Sequence, residues 1–292
     1  MKVVLVWLTL CAIWSSTWIF IKFGLDAGLP PVSFAAARFV IAAAFLLLIL
    51  VVRRISLPRT RNEWRLVVVT GLLQFGLNYG LLFWGEQYIS SGLAAVLQAT
   101  IPAFGLVAAQ IYLPDERVTW LKAAAILLGI AGVAVIFYEQ LNFSGALAFA
   151  GSAAIVVGAF AAAYASVLVK AFAGKMNSIA LLAMQMMCGM IPLVIVGLIK
   201  EGNPASFAWT GISIFSVLYL ALVGSVTAFW LFYWLLKKID ATKAMMISLV
   251  TPFVAVLIGN AALNETLQKQ TLIGGALILL SVGLILWQRR EA

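Results

Sequence analysis

Apolar residues in this chain come in long, nearly unbroken runs, and short polar clusters separate them. A helix needs about 20 such residues to cross ~30 Å of hydrocarbon. Ten runs reach or approach that length: about 3–21, 31–52, 65–85, 92–113, 119–137, 145–170, 178–200, 211–236, 242–263 and 270–288. The breaks carry helix-ending or charged residues, as in Gly28-Leu29-Pro30-Pro31, Pro114-Asp115-Glu116, Asn142-Phe143-Ser144-Gly145 and Glu201-Gly202-Asn203-Pro204. Connections this short make neighbouring helices antiparallel. The pattern predicts an all-α membrane protein with ten transmembrane helices.

Two of the runs are interrupted in the same way. Pro102 lies mid-way along Gly92–Leu113, and Pro252 mid-way along Thr242–Leu263. A proline inside a helix removes one backbone hydrogen bond and crowds the carbonyl four residues earlier, here that of Gln98 and of Ser248. Matched interruptions in two halves of a transporter point to a substrate site near the bilayer midplane. Proline is also tolerated in membrane helices as a simple kink.

Composition agrees with the pattern. Of 292 residues, 64% are hydrophobic and 10% charged, and mean hydropathy is +1.11. A soluble domain carries about 25% charged residues. The formal charge of +9 is spread over short loops, as a topology signal is, and no nucleic-acid-binding motif accompanies it. With the N-terminus in the cytoplasm, fifteen Lys and Arg fall on the cytoplasmic side: Lys2, the Arg53–Arg65 loop, Arg117, Lys122, Lys170, Lys175, Lys237, Lys238, Lys243, Arg289 and Arg290. Three, Lys22, Lys200 and Lys269, fall outside, and Arg38 lies within the second span. This bias predicts that both termini are cytoplasmic, and the expected location is a bacterial inner membrane. The first run carries Trp14 and Trp18 and is followed by no cleavage motif, so it reads as an uncleaved helix. Cys11 and Cys188 sit in apolar runs and there is no histidine, so neither a metal site nor a cofactor is expected.

The halves resemble each other. Phe83-Trp84, Ile89 and Pro102 recur at one offset as Tyr233-Trp234, Ile239 and Pro252. Asp115-Glu116-Arg117 then matches Asn264-Glu265-Thr266 after one residue of slippage, and a glycine-rich apolar run follows each. Each half holds five spans, an odd number, so two copies in one chain must be inverted in the membrane. The expected units are 1–140 and 141–292.

The first half also contains Ile13-Trp14-Ser15-Ser16-Thr17-Trp18-Ile19, Leu29-Pro30-Pro31, Ala37-Arg38-Phe39, Tyr88-Ile89-Ser90-Ser91-Gly92-Leu93-Ala94-Ala95 and Glu116-Arg117-Val118-Thr119. In order and spacing these resemble the EamA-type family of the drug/metabolite transporter superfamily, over nearly the whole chain. The second half departs from the first, with Gln185 roughly where Arg38 would stand and no tryptophan opening the sixth span. The resemblance implies ten helices in two inverted halves and export of amino acids or other small metabolites.

Polar groups at membrane depth are costly unless they are paired or face a cavity. Gln74 and Asn78 share a face of the third span; Gln98, Gln185, Ser248 and Thr251 lie in later ones. Trp14 with Trp18, Trp230 with Trp234, Tyr79 and Tyr164 are deep aromatics. A site of Trp14, Trp18, Asn78, Tyr79, Gln98, Tyr164, Gln185, Trp230 and Ser248, with Pro102 and Pro252 as kinks, would be neutral and suit an amphipathic molecule. Each has an ordinary packing role as its alternative. Arg38 either snorkels outward, pairs with Glu86 near the outer end of the third span, or attracts a substrate carboxylate. Glu116 and Glu265 open helices, where a carboxylate suits the dipole. Ala154, Gly158, Ala162 and Ser166 form a close-packing stripe.

No carboxylate occupies the middle of a span, and no phosphate-binding loop is present, which argues against a central proton relay and against ATP hydrolysis. A membrane enzyme would need an interfacial His, Asp or Glu cluster, and a structural or sensory membrane protein a soluble output or partner-binding domain. The expectation is a carrier of a small-molecule substrate, partnered by the lipid bilayer and not by nucleic acid. Amino acids with aromatic or large apolar side chains come first, multidrug, nucleobase or sugar-derivative substrates second. No protein partner is required, and oligomerisation is left open.

Overall fold

The structure, a computed structural model, describes residues 1–116, 118–141, 145–263 and 268–287. Arg117, Asn142, Phe143, Ser144, Asn264, Glu265, Thr266, Arg289, Arg290 and the Trp287 side chain lie outside that description. The described residues form helices and no strand. Among them, eight helices are long and apolar enough to cross a membrane. These are α1 (Lys2–Asp26), α2 (Pro31–Val52), α3 (Arg61–Gly85), α4 (Ser91–Tyr112), α6 (Ala146–Phe172), α7 (Ser178–Lys200), α8 (Gly211–Leu236) and α9, whose apolar stretch is Ala241–Ile258. Two shorter apolar helices, α5 (Trp120–Ile136) and α10 (Lys269–Trp287), complete the bundle.

Local chemistry starts and stops these helices where the polar clusters predict. Thr60 and Glu63 form a reciprocal capping box at α3, and Ser90, Thr119, Asn177 and Thr210 accept from first-turn N–H groups at α4, α5, α7 and α8. Pro31 occupies the first turn of α2, where its missing N–H costs nothing. The Glu201 carboxylate accepts from the Val32 and Ser33 N–H groups there, at 2.9 and 2.6 Å. Gly28, at φ +88°, reverses the chain after α1 in a conformation that a side chain would disfavour.

Four helices are irregular. Backbone bonding in α3 switches to the wider π pattern over Leu72–Asn78, and in α8 over Leu222–Thr227. Helix α4 breaks between Gln98 and Ile101, so Pro102 sits in the first turn of a new segment and is not inside a continuous helix. Helix α9 breaks at Met246, between Ala241–Met245 and Ile247–Leu263, and Pro252 stays within the second piece. The matched prolines therefore accompany matched breaks, but only Pro102 lies beside its own.

Helix α5 packs on α10, α2 on α7, α4 on α6 and α1 on α9, while α3 lies against α6 and α7 and α8 against α1 and α2. Glycine permits the closest approaches. A Cβ on Gly132 of α5 would stand 2.7 Å from the Gly274 carbonyl oxygen of α10. Part of the small-residue stripe on α6 does the same, with Gly158 against the Asn78 backbone of α3. At mid-bundle Phe39, Phe75 and Phe229 meet edge to face, with ring centroids 5.3 and 4.8 Å apart along that chain.

Candidate functional site

A cavity of about 170 Å³ lies among α1, α2, α3, α4, α6, α8 and α9. A second, of about 410 Å³, adjoins it at the end of the bundle that carries Lys22, Asp26 and Ser91. Trp18, Ile21, Glu86, Ala95 and Pro252 border both, so the two spaces meet at that neck. Together they match the usual size of a small-molecule site, ~300–1,000 Å³.

Of the residues singled out from the sequence, Trp14, Trp18, Asn78, Tyr79, Gln98, Ser248, Pro252, Arg38 and Glu86 line the inner cavity. Each helix irregularity has a consequence there. The π segment of α3 carries Gln74 and Asn78 to the wall. Gln98, the last residue before the α4 break, donates from Nε2 to Asn78 Oδ1 at 3.4 Å. Ser248, just past the α9 break, donates to the Met245 carbonyl. The π segment of α8 leaves the Gly224 carbonyl open to Arg38, which donates to it at 3.0 Å and from Nε to Ser225 Oγ at 2.7 Å.

Other candidates lie elsewhere. Trp230 is 45% exposed on the outside of α8. Its neighbours Phe229 and Phe232 face the cavity instead, flanking Trp14 at centroid distances of 5.5 and 5.3 Å. Successive helical residues point about 100° apart, so the turn holding 229 and 232 excludes 230. Apolar outward positions on α8 carried the signal, but periodicity alone did not set the phase. Tyr164 stands outside the lining and shares a hydroxyl hydrogen bond of 2.5 Å with Tyr112. Gln185 is fully buried in a separate network, donating to Thr70 Oγ1 and accepting from the Tyr233 hydroxyl at 2.8 Å. Pro102 is buried and also absent from the wall.

The expected Arg38–Glu86 pair is not formed, because Arg38 is held by α8 while Glu86 borders the neck. Nor is the site neutral: both charged groups border the cavity. Glu86 follows directly after α3, and burial pushes its carboxyl up to about 7. Arg38 is 2% exposed, with its guanidinium carbon 5.2 Å from the Tyr79 ring centre and 5.3 Å from that of Phe39. Trp14 Nε1 is buried without a hydrogen-bond partner.

The opposite end of the bundle is tied shut by charge. Glu116, buried after α4, pairs with Lys170 of α6 at 2.9 Å and accepts from the Ala241 N–H of α9 at 2.7 Å. Lys170 also donates to the carbonyls of Leu236 and Ile239. Beside them Asp240 meets Lys243 at 3.2 Å and Lys122 at 3.5 Å. Burial alone would raise the Asp240 carboxyl, but Lys243, Lys122 and Lys170 together hold it below the usual carboxylate value. Glu116 was expected as a helix-opening residue; it instead joins three helices.

A helical membrane bundle with an amphipathic cavity at its centre, reached from one end and sealed at the other, belongs to the class of membrane transporters. Residues 1–138 and again 149–287 match the EamA-like transporter family, and the chain belongs to that family. It is 30% identical to the uncharacterized transporter YoaV of Bacillus subtilis, over 95% of this chain and 94% of that one. It is 29% identical to the uncharacterized inner membrane transporter YedA of Escherichia coli K12, over 94% and 87%. A crystal structure with 20% identity superposes with a TM-score of 0.84 over 100% of this chain and 99% of the other, a likeness of fold.

Proposed function

We propose that the protein is a ten-span carrier of two inverted five-helix units, 1–140 and 141–292, with both termini in the cytoplasm. By alternating access it exports small amphipathic metabolites, amino acids with aromatic or large apolar side chains first. The observation that carries this reading is the cavity itself, walled by helices of both units and bordered by the irregular segments of α3, α4 and α9.

The packing supports the inverted repeat. Exchanging α1–α5 for α6–α10 in order turns the α1–α9 contact into α6–α4, the α3–α6 contact into α8–α1, and the α3–α7 contact into α8–α2; α2–α7 and α5–α10 map onto themselves. The π segments fall at equivalent places, Leu72–Asn78 and Leu222–Thr227. Such units rock about a fixed central site. The fifteen-to-three charge bias supports the orientation, which makes the Glu116 end cytoplasmic and the present conformation outward-facing.

The test is flux in proteoliposomes. Saturable movement of phenylalanine, tryptophan or methionine, lost in Asn78→Ala, is expected. Flux of a cationic drug or a sugar phosphate with none of any amino acid would overturn the substrate class. Outside labelling of a cysteine at position 59 by an impermeant reagent would overturn the orientation.

A further inference from the structure

Arg38 carries its charge into the cavity wall and finds no counter-ion among the described residues. Among the described residues the ion pairs are those of Lys122, Lys170 and Lys243, all at the opposite end. Its protein partners are all neutral: the Ser225 hydroxyl, the Gly224 carbonyl and the Tyr79 side chain. An arginine has five N–H donors, so this leaves capacity unused. A buried charge without an opposite charge is a costly arrangement inside a membrane. Trp14 borders the same space, and its Nε1–H is buried without a partner. The Gln74 side chain also reaches the wall. The apolar rings of Phe229 and Phe232 line the same cavity and pack on Trp14.

The geometry points to Arg38 as the anchor for a substrate carboxylate, with the substrate's apolar body against Trp14, Phe229 and Phe232. The inference rests on the cavity being the transport site. One guanidinium balances one negative charge, so the class is a monocarboxylate with an apolar body, zwitterionic amino acids included. A doubly charged phosphate would remain half compensated. Planar N–H pairs on arginine match the two oxygens of a carboxylate, which a lysine ammonium cannot reproduce. The α8 bulge then has a purpose: by holding Nε and one terminal nitrogen, it orients the rest of the fork.

The experiment compares three molecules of one skeleton on the purified protein: phenylalanine, 3-phenylpropionate without the ammonium, and phenethylamine without the carboxylate. Each is assayed as a competitor of saturable phenylalanine flux in liposomes and as a thermal stabiliser of the solubilised protein. Phenylalanine and phenylpropionate should compete and stabilise; phenethylamine should do neither at tenfold higher concentration. Arg38→Lys should raise the phenylalanine KM tenfold or more while Tm shifts little. Phenethylamine competing within twofold of phenylalanine would overturn the anchor and leave the carrier standing. So would an Arg38→Lys variant that lowers Tm without raising KM, which marks a merely structural arginine. Saturable flux of another compound class with none for these three would also overturn the anchor alone. Absence of saturable flux for every compound tried would overturn the anchor and the carrier together.

Discussion

Removing the carboxylate charge at Glu116 should unlock the sealed end of the bundle. In Glu116→Gln the amide can still accept from the Ala241 N–H, now 2.7 Å away, but the 2.9 Å pair with Lys170 is lost. Breaking a fully buried ion pair by removing one partner costs about 3–5 kcal/mol. Here Glu116 is 6% exposed and Lys170 19%, and Lys170 keeps the Leu236 and Ile239 carbonyls as partners. Those carbonyls and partial hydration reduce the loss to about 2 kcal/mol. The loss falls on the sealed state, because an inward opening must part these same groups. A change of that size shifts the balance of the two states by roughly 30-fold, at 1.4 kcal/mol per factor of ten. The assay places a single cysteine at Ser248, on the cavity wall, in a protein freed of Cys11 and Cys188. An impermeant thiol reagent is then applied from each face of oriented membranes. Labelling from the cytoplasmic face should rise by an order of magnitude in Glu116→Gln, while labelling from the outside falls. Unchanged labelling from both faces would refute the view that this cluster holds the end closed.

Other outcomes follow from the same geometry. Gln185→Leu leaves Thr70 and Tyr233 without their shared partner and should cost about 1–3 kcal/mol; Tm in detergent should fall while the KM of surviving protein is unchanged. Trp230→Ala, on the lipid-facing side, should leave flux within twofold of the wild type, whereas Trp14→Ala should abolish saturable flux. The folded protein holds the Glu86 proton to about 7, against an ordinary value of 4.5, so this group's contribution to stability is present below 4.5 and is lost as pH rises through 7. Arg38 in the inner cavity and Lys22 and Asp26 in the outer one are its charged neighbours. Tm in detergent should therefore fall as pH rises from 4.5 through about 7, and Glu86→Gln should flatten that profile.

Much of this protein is written locally. Run length and composition identify membrane helices because a span must satisfy its backbone within itself and meet lipid with apolar side chains. Caps and reversals mark their ends, and Pro102 with Pro252 marks the two helices that break. Asn78, Gln98 and Ser248 could be chosen from depth and polarity, and all three reach the cavity. Where a chosen residue missed, rotation about a helix axis was the missing quantity. Nearly uniform apolarity around α8 leaves no period to tell Phe229 from Trp230, and the phase is set by which neighbour packs against which face. The π segments are equally invisible, since one extra residue in a turn changes no composition. Charge was the largest surprise. Arg38 found its partners on α8, about 190 positions away, and Glu116 found Lys170 and the start of α9. Such pairings join distant parts of the chain through the packing of helices, and tertiary structure alone decides that an arginine faces the cavity unpaired while a helix-opening glutamate closes the other end.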